Sequence, residues 1–159
     1  MANVSSARGR YIFPIDLLLS NNGRTAVRKI IQLSNKYLMN VDYYTELDVD
    51  KTELTYLIDN AIYYDCDLEI NFFGSGRWNY FNNVSNYFNA IFNEIKIAQN
   101  LSDLNDFTKA CRLLSKDDKP PIAIKYIDYG DDHLCDSYAV AIRPSLEAKT
   151  SIKTICTLI

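Results

Sequence analysis

The chain has 159 residues, 48% of them hydrophobic and 23% charged, which excludes a disordered tail or a low-complexity spacer. At this length folding buries about 68–70% of the surface the unfolded chain exposes, so a single globular domain needs no disulfide staples. The 17 basic and 20 acidic residues, with a net charge of −3, argue against a dedicated duplex-DNA or anionic-membrane binder and leave room for a local basic patch.

Tyr11, Phe13, Ile15, Leu17 and Leu19 alternate with mostly polar neighbours and predict a first strand, which Pro14 would place at a sheet edge. Arg8 and Arg10 ahead of this stretch resemble a secretion signal, but Pro14 and Asp16 interrupt the apolar run, and a cytoplasmic location is expected. Asn21, Asn22 and Gly23 supply a turn; Val27, Ile30, Ile31, Tyr37 and Leu38 then recur at helical spacing. Asp50 followed by Glu53 has the form of a helix cap, and Leu54, Leu57, Ile58 and Ile62 make the apolar stripe of the next helix, ending near Tyr64.

Cys66, Leu68, Ile70 and Phe72 alternate with Asp67, Glu69 and Asn71, the clearest strand pattern in the chain. Beyond Gly74-Ser75-Gly76, residues from Tyr80 to Ile95 carry a broad helical stripe that puts the aromatics in the core. A further helix is expected after Ser102, ending before Pro120 and Pro121. The remainder reads as β: Ile122 to Tyr126, then Tyr138 to Ile142 as a hairpin partner, then Ile152 to Leu158. The expected fold is α+β, with about five strands in a mixed, mostly antiparallel sheet and about four helices packed on one face.

Charge is unevenly spread. Positions 1–41 hold six basic residues and one acidic, whereas 42–69 hold nine acidic residues and one lysine. The acidic block includes Asp42, Glu46, Asp48, Asp50, Asp65, Asp67 and Glu69, interleaved with tyrosines that begin at Tyr43 and Tyr44. Carboxylates beside tyrosines combine charge steering with rigid amphipathic contact area, as interfaces to basic partners do. The bland alternative is a set of solvated faces, with the basic first helix pairing against the acids within the chain.

Gly74, Ser75, Gly76, Arg77 and Trp78 suggest a strand-to-helix turn whose backbone N–H groups could face an anion, although the P-loop ending and the dinucleotide glycine spacing are both missing. A cation such as Arg77 in a first helical turn opposes the helix dipole, which favours a role in binding. Phe72, Phe73, Trp78, Tyr80 and Phe81 invite a base-stacking reading, which helical phase opposes. Cys66, Cys111, Cys135 and Cys156 lack zinc spacing, and three of them fall on apolar phases as small hydrophobes. His133 with Cys135 lacks an orienting third group, and the acids around Asp128, Asp131, Asp132 and Asp136 lack calcium-loop spacing. No residue set amounts to a catalytic signature, and no cofactor or metal is expected.

The run Phe-x-Gly-x-Gly-Arg-Trp-x-x-x-Asn-Asn from Phe72 to Asn83, with abundant Asn and Tyr in a small acidic chain, resembles small accessory proteins of phages and mobile elements. Some of these act as anti-CRISPR or anti-restriction inhibitors. The resemblance implies a non-catalytic inhibitor of a nucleic-acid-handling complex, binding a basic protein surface rather than nucleic acid or membrane. An immunity or antitoxin protein is a second expectation, and an enzyme holding a phosphate-bearing substrate at Gly74 to Arg77 a third.

Overall fold

The computed structural model describes residues 4–36, 43–77, 80, 122–129, 135–143 and 151–155. In chain order these form β1 (Val4–Phe13), α1 (Ile15–Leu18), α2 (Asn21–Lys36), β2 (Tyr43–Leu47), α3 (Lys51–Tyr63), β3 (Leu68–Arg77), β4 (Ile122–Tyr129), β5 (Cys135–Arg143) and β6 (Ser151–Ile155). The fold is α+β. Strands β2-β3-β1-β4 make a four-stranded antiparallel sheet accompanied by the three helices, and β5 and β6 continue it beyond β4. Every pairing is antiparallel, so the parallel component of the expected mixed sheet is not found among the described residues. The hairpin expected between β4 and β5 is formed, pairing Ile122 with Ile142 and Tyr126 with Tyr138. The two helices expected between Tyr80 and Pro120 lie outside the described residues, apart from Tyr80 itself.

The period-two pattern dictates which side of the sheet is buried. Tyr11 pairs with Ile70 on one flank and Ile124 on the other, so all three project to the same face. Ala7, Phe13, Leu47, Leu68, Phe72, Ile122 and Tyr126 share that face and are buried in one core cluster with Leu17, Leu18, Ala26, Val27, Ile30, Ile31, Leu54, Ile58 and Ala61 from the helices. The opposite face carries Arg8, Arg10, Glu46, Glu69, Asn71, Phe73, Lys125, Ile127 and Tyr129, all exposed.

The first strand differs from its expected limits. It starts at Val4 and stops at Phe13, because Pro14 takes the N-cap position of α1 with φ −64° and ψ 144°, and its carbonyl accepts from the Leu17 N–H at 3.0 Å. Leu17 and Leu18 are consecutive and both buried, which a strand with one buried face cannot achieve. Pro14 therefore bounds β1 rather than interrupting its hydrogen bonds, and β1 lies inside the sheet instead of at its edge. The inward residues Ser5, Ala7 and Gly9 are small, so the first half of the strand shows no apolar alternation. Asn21-Asn22-Gly23 opens α2 rather than preceding it as a turn.

Gly74, Ser75 and Gly76 do not turn the chain. They continue β3, pairing with Ala7, Ser6 and Ser5, and no described glycine has a positive φ. Gly74 and Ala7 lie in the same buried row as Thr45. Tyr80 is seated close by. Its hydroxyl lies 2.9 Å from those of Tyr11 and Thr45, its N–H donates to Asp128 Oδ2 at 2.8 Å, and its ring stacks on Phe72 with centroids 5.1 Å apart.

Candidate functional site

Helix α3 is specified locally. The Asp50 carboxylate accepts from the Glu53 N–H at 2.8 Å, satisfying one of the unpaired N–H groups of the first turn. Leu54, Ile58 and Ala61 form its buried side. Thr52, Tyr56, Asp59 and Tyr63 recur at spacings of four, three and four and so form a stripe on the opposite, outward side. Tyr56, Tyr63 and Tyr64 are 66%, 81% and 71% exposed, and the Tyr63 and Tyr64 rings meet edge-to-face at 4.9 Å.

The end of α3 is a complete Schellman motif. The Asp65 N–H donates to the Ile62 carbonyl at 3.2 Å and the Cys66 N–H to the Ala61 carbonyl at 3.0 Å. Asp65 occupies the left-handed position, with φ 52°, where glycine is the unstrained choice. It is also an acid at the negative end of the helix dipole, with no basic residue in the last turn. Both terms oppose stability, and together they place a carboxylate beside exposed tyrosines. Cys66 is exposed, not the buried hydrophobe its alternation with Leu68 suggests, because it belongs to the helix end and β3 begins two residues later.

Of the acids expected to form one surface, Glu46, Asp48, Asp50, Asp65, Asp67 and Glu69 are all exposed, as are Glu53 and Asp59. They do not form one cluster. Asp48, Asp50 and Glu53 stand at the start of α3, while Asp65 and Asp67 follow its end, roughly 20 Å away at 1.5 Å per residue. Glu46 and Glu69 lie on the outward face of the sheet. Asp42 and Trp78 lie outside the described residues, and Tyr43 and Tyr44 are placed only as members of β2.

Neutralisation within the chain is limited. Arg10 binds Glu69 at 2.8 Å, the ion pair found among the described residues. Arg28 and Arg24 of α2 meet neutral groups instead: Arg28 donates to Thr55 Oγ1 at 3.0 Å, and Arg24 to the Leu18 carbonyl at 2.8 Å and to Asn21. Asp67 accepts from the Ile15 N–H at 2.9 Å, which ties the α3–β3 connection to the start of α1.

Tyr56, Tyr63 and Tyr64 were legible as part of a tyrosine-rich segment, but their grouping needed the helix limits. The signal was the seven-residue spacing of Tyr56 and Tyr63, out of phase with Leu54 and Ile58. The proposed anion-binding turn is replaced by strand, and Arg77 pairs with Val4 at the end of β3 rather than occupying a first helical turn. Asp128 is 5% exposed and turned toward Tyr80, and no group of residues able to hold a metal ion occurs among the described residues. No described helix is long and apolar enough to cross a membrane. Comparison with known proteins returns no match among protein-family models, curated proteins or solved structures.

Proposed function

We propose that this chain is a non-catalytic, protein-binding inhibitor of a nucleic-acid-handling complex, acting through the acidic, tyrosine-rich outward side of α3 on a basic protein surface. The observation that carries the reading is the contiguous set Tyr56, Asp59, Tyr63, Tyr64 and Asp65. Three large aromatic side chains stand in solvent there, and Asp65 is held in a conformation that costs stability. Tyrosine loses little conformational freedom on docking, and the flanking carboxylates steer a cationic partner. The kind of complex inhibited rests on the resemblance of the Phe72 to Asn83 run to phage accessory proteins.

The test compares capture of host proteins by the intact chain and by a variant carrying Tyr56→Ser, Asp59→Lys and Tyr63→Ser. These exposed positions have no role in the core, so folding is retained. A basic nucleic-acid-processing protein held by the parent, released by added salt and lost by the variant supports the proposal, as does inhibition of that protein's activity by the parent alone. Equal capture by both chains refutes it. Asp50 and Asp67 are unsuited to the test, since each also bonds to the backbone of the fold, and Glu69 lies on the outward face of the sheet rather than on α3.

A further inference from the structure

The face of the sheet turned away from α1, α2 and α3 presents a second chemistry. On it Arg8 lies between Phe73 of β3 and Ile127 of β4, with its guanidinium 5.4 Å from the Phe73 ring centre. The neighbouring row places Ser6 between Ser75 and Tyr129, and the row on the other side places Arg10 between Asn71 and Lys125. Phe73, Ile127 and Tyr129 are 38%, 40% and 43% exposed. Arg8, Arg10 and Lys125 share the face with Glu46 and Glu69, and Glu69 is already engaged by Arg10. Neither Arg8 nor Lys125 has a carboxylate within ion-pair distance among the described residues.

We propose that this open face binds single-stranded nucleic acid, with Phe73 and Tyr129 as stacking platforms for bases and the flanking cations contacting the phosphates. The two aromatics sit on strands either side of β1 and one row apart. With strands about 4.8 Å apart, that gives a separation of roughly 12 Å, the span of about two steps of an extended polynucleotide. On the side of Phe73 that Arg8 covers, the guanidinium itself takes the base, because its plane stacks on rings and bases alike. A duplex keeps its bases stacked inside and offers this surface only phosphates. The face lies across the core from the outward side of α3, so the two sites are independent.

Fluorescence anisotropy with labelled oligo(dT), oligo(U) and a duplex, each of about 20 nucleotides, tests the proposal. Both single strands are expected to bind in preference to the duplex, or one of them alone if the sugar is read. Phe73→Ala and Tyr129→Ala are each expected to weaken binding by about 5–150-fold, and Phe73→Tyr to retain it. Lys125→Ala should reduce the salt dependence of the affinity, whereas Tyr63→Ala, on the other side of the molecule, should change nothing. The proposal is overturned if neither strand binds, if the duplex competes equally, or if the alanine variants bind like the parent. It is also overturned if sedimentation shows self-association that Phe73→Ala abolishes, since the face then serves a second copy. Capture of a protein partner through α3 is unaffected by any of these results.

Discussion

The hydroxyl of Tyr80 lies 2.9 Å from that of Tyr11, joining a residue after the end of β3 to the centre of β1 beneath the helices. Thr45 completes the chain at 2.9 Å, so three buried hydroxyls satisfy one another across three segments. Tyr80→Phe removes the middle member and with it both hydrogen bonds. A loss of about 1–3 kcal/mol is expected, read as a lower urea midpoint at unchanged slope. An unchanged midpoint would show that these bonds contribute nothing net.

The same residue sets a limit at alkaline pH. Burial raises the Tyr80 hydroxyl far above its ordinary value, outweighing the opposing hydrogen bonds from Thr45 and Tyr11. Burial keeps the neutral form in the fold, so the native chain retains a proton that the unfolded chain releases above about pH 10. The stabilisation is complete below that pH and is lost as pH rises through it toward the raised native value. Denaturation midpoints measured from pH 8 upward should fall beyond about pH 10, and the fall should be shallower in Tyr80→Phe.

Asp50 caps α3 and Asp65 terminates it, and they predict opposite signs. Asp50→Ala should cost about 1 kcal/mol through the lost bond to the Glu53 N–H, with Asp50→Ser recovering most of it. Asp65→Gly should raise stability by roughly 0.5–1 kcal/mol, relieving the left-handed strain and the charge at the helix end. If the α3 surface binds as proposed, the more stable Asp65→Gly chain also binds its partner less tightly.

Gly9 is required by the approach of β4 to β1. A Cβ at this position would lie 2.0 Å from the Lys125 carbonyl oxygen and 2.6 Å from Tyr126 Cα, both backbone atoms. Gly9→Ala must separate two central strands, and a loss at or above the upper end of the usual range of about 1–3 kcal/mol is expected by thermal denaturation. Gly23 is similarly confined, its added Cβ falling 1.6 Å from the Leu17 carbonyl oxygen.

The surface ion pair offers a contrast. Arg10 and Glu69 are each about half exposed, so Arg10→Ala should change stability by less than about 1 kcal/mol, and by less still in high salt. A larger effect in urea denaturation would mean that the arginine stem packs on the sheet face.

Local chemistry was enough to identify several elements. The Asp50 cap, the Leu54 and Ile58 stripe, the alternation of Leu68, Ile70 and Phe72, and the β4–β5 hairpin are all encoded by neighbours within a few residues, through periodicity and capping. So was the α+β class. Tertiary structure decided the rest. β2 buries Thr45 and Leu47 and is placed by its pairing with β3, while Ser5 and Gly74 are buried without a large apolar side chain. The glycines read as a turn are strand, paired with β1 on one side and β2 on the other. The acids, contiguous in the chain, separated onto two ends of a helix and one face of a sheet, since sequence proximity fixes a local conformation but side-chain direction and strand register fix a surface. The same register gathered Arg8, Phe73, Lys125 and Tyr129 from three strands, an assembly set by pairing between segments far apart in the chain.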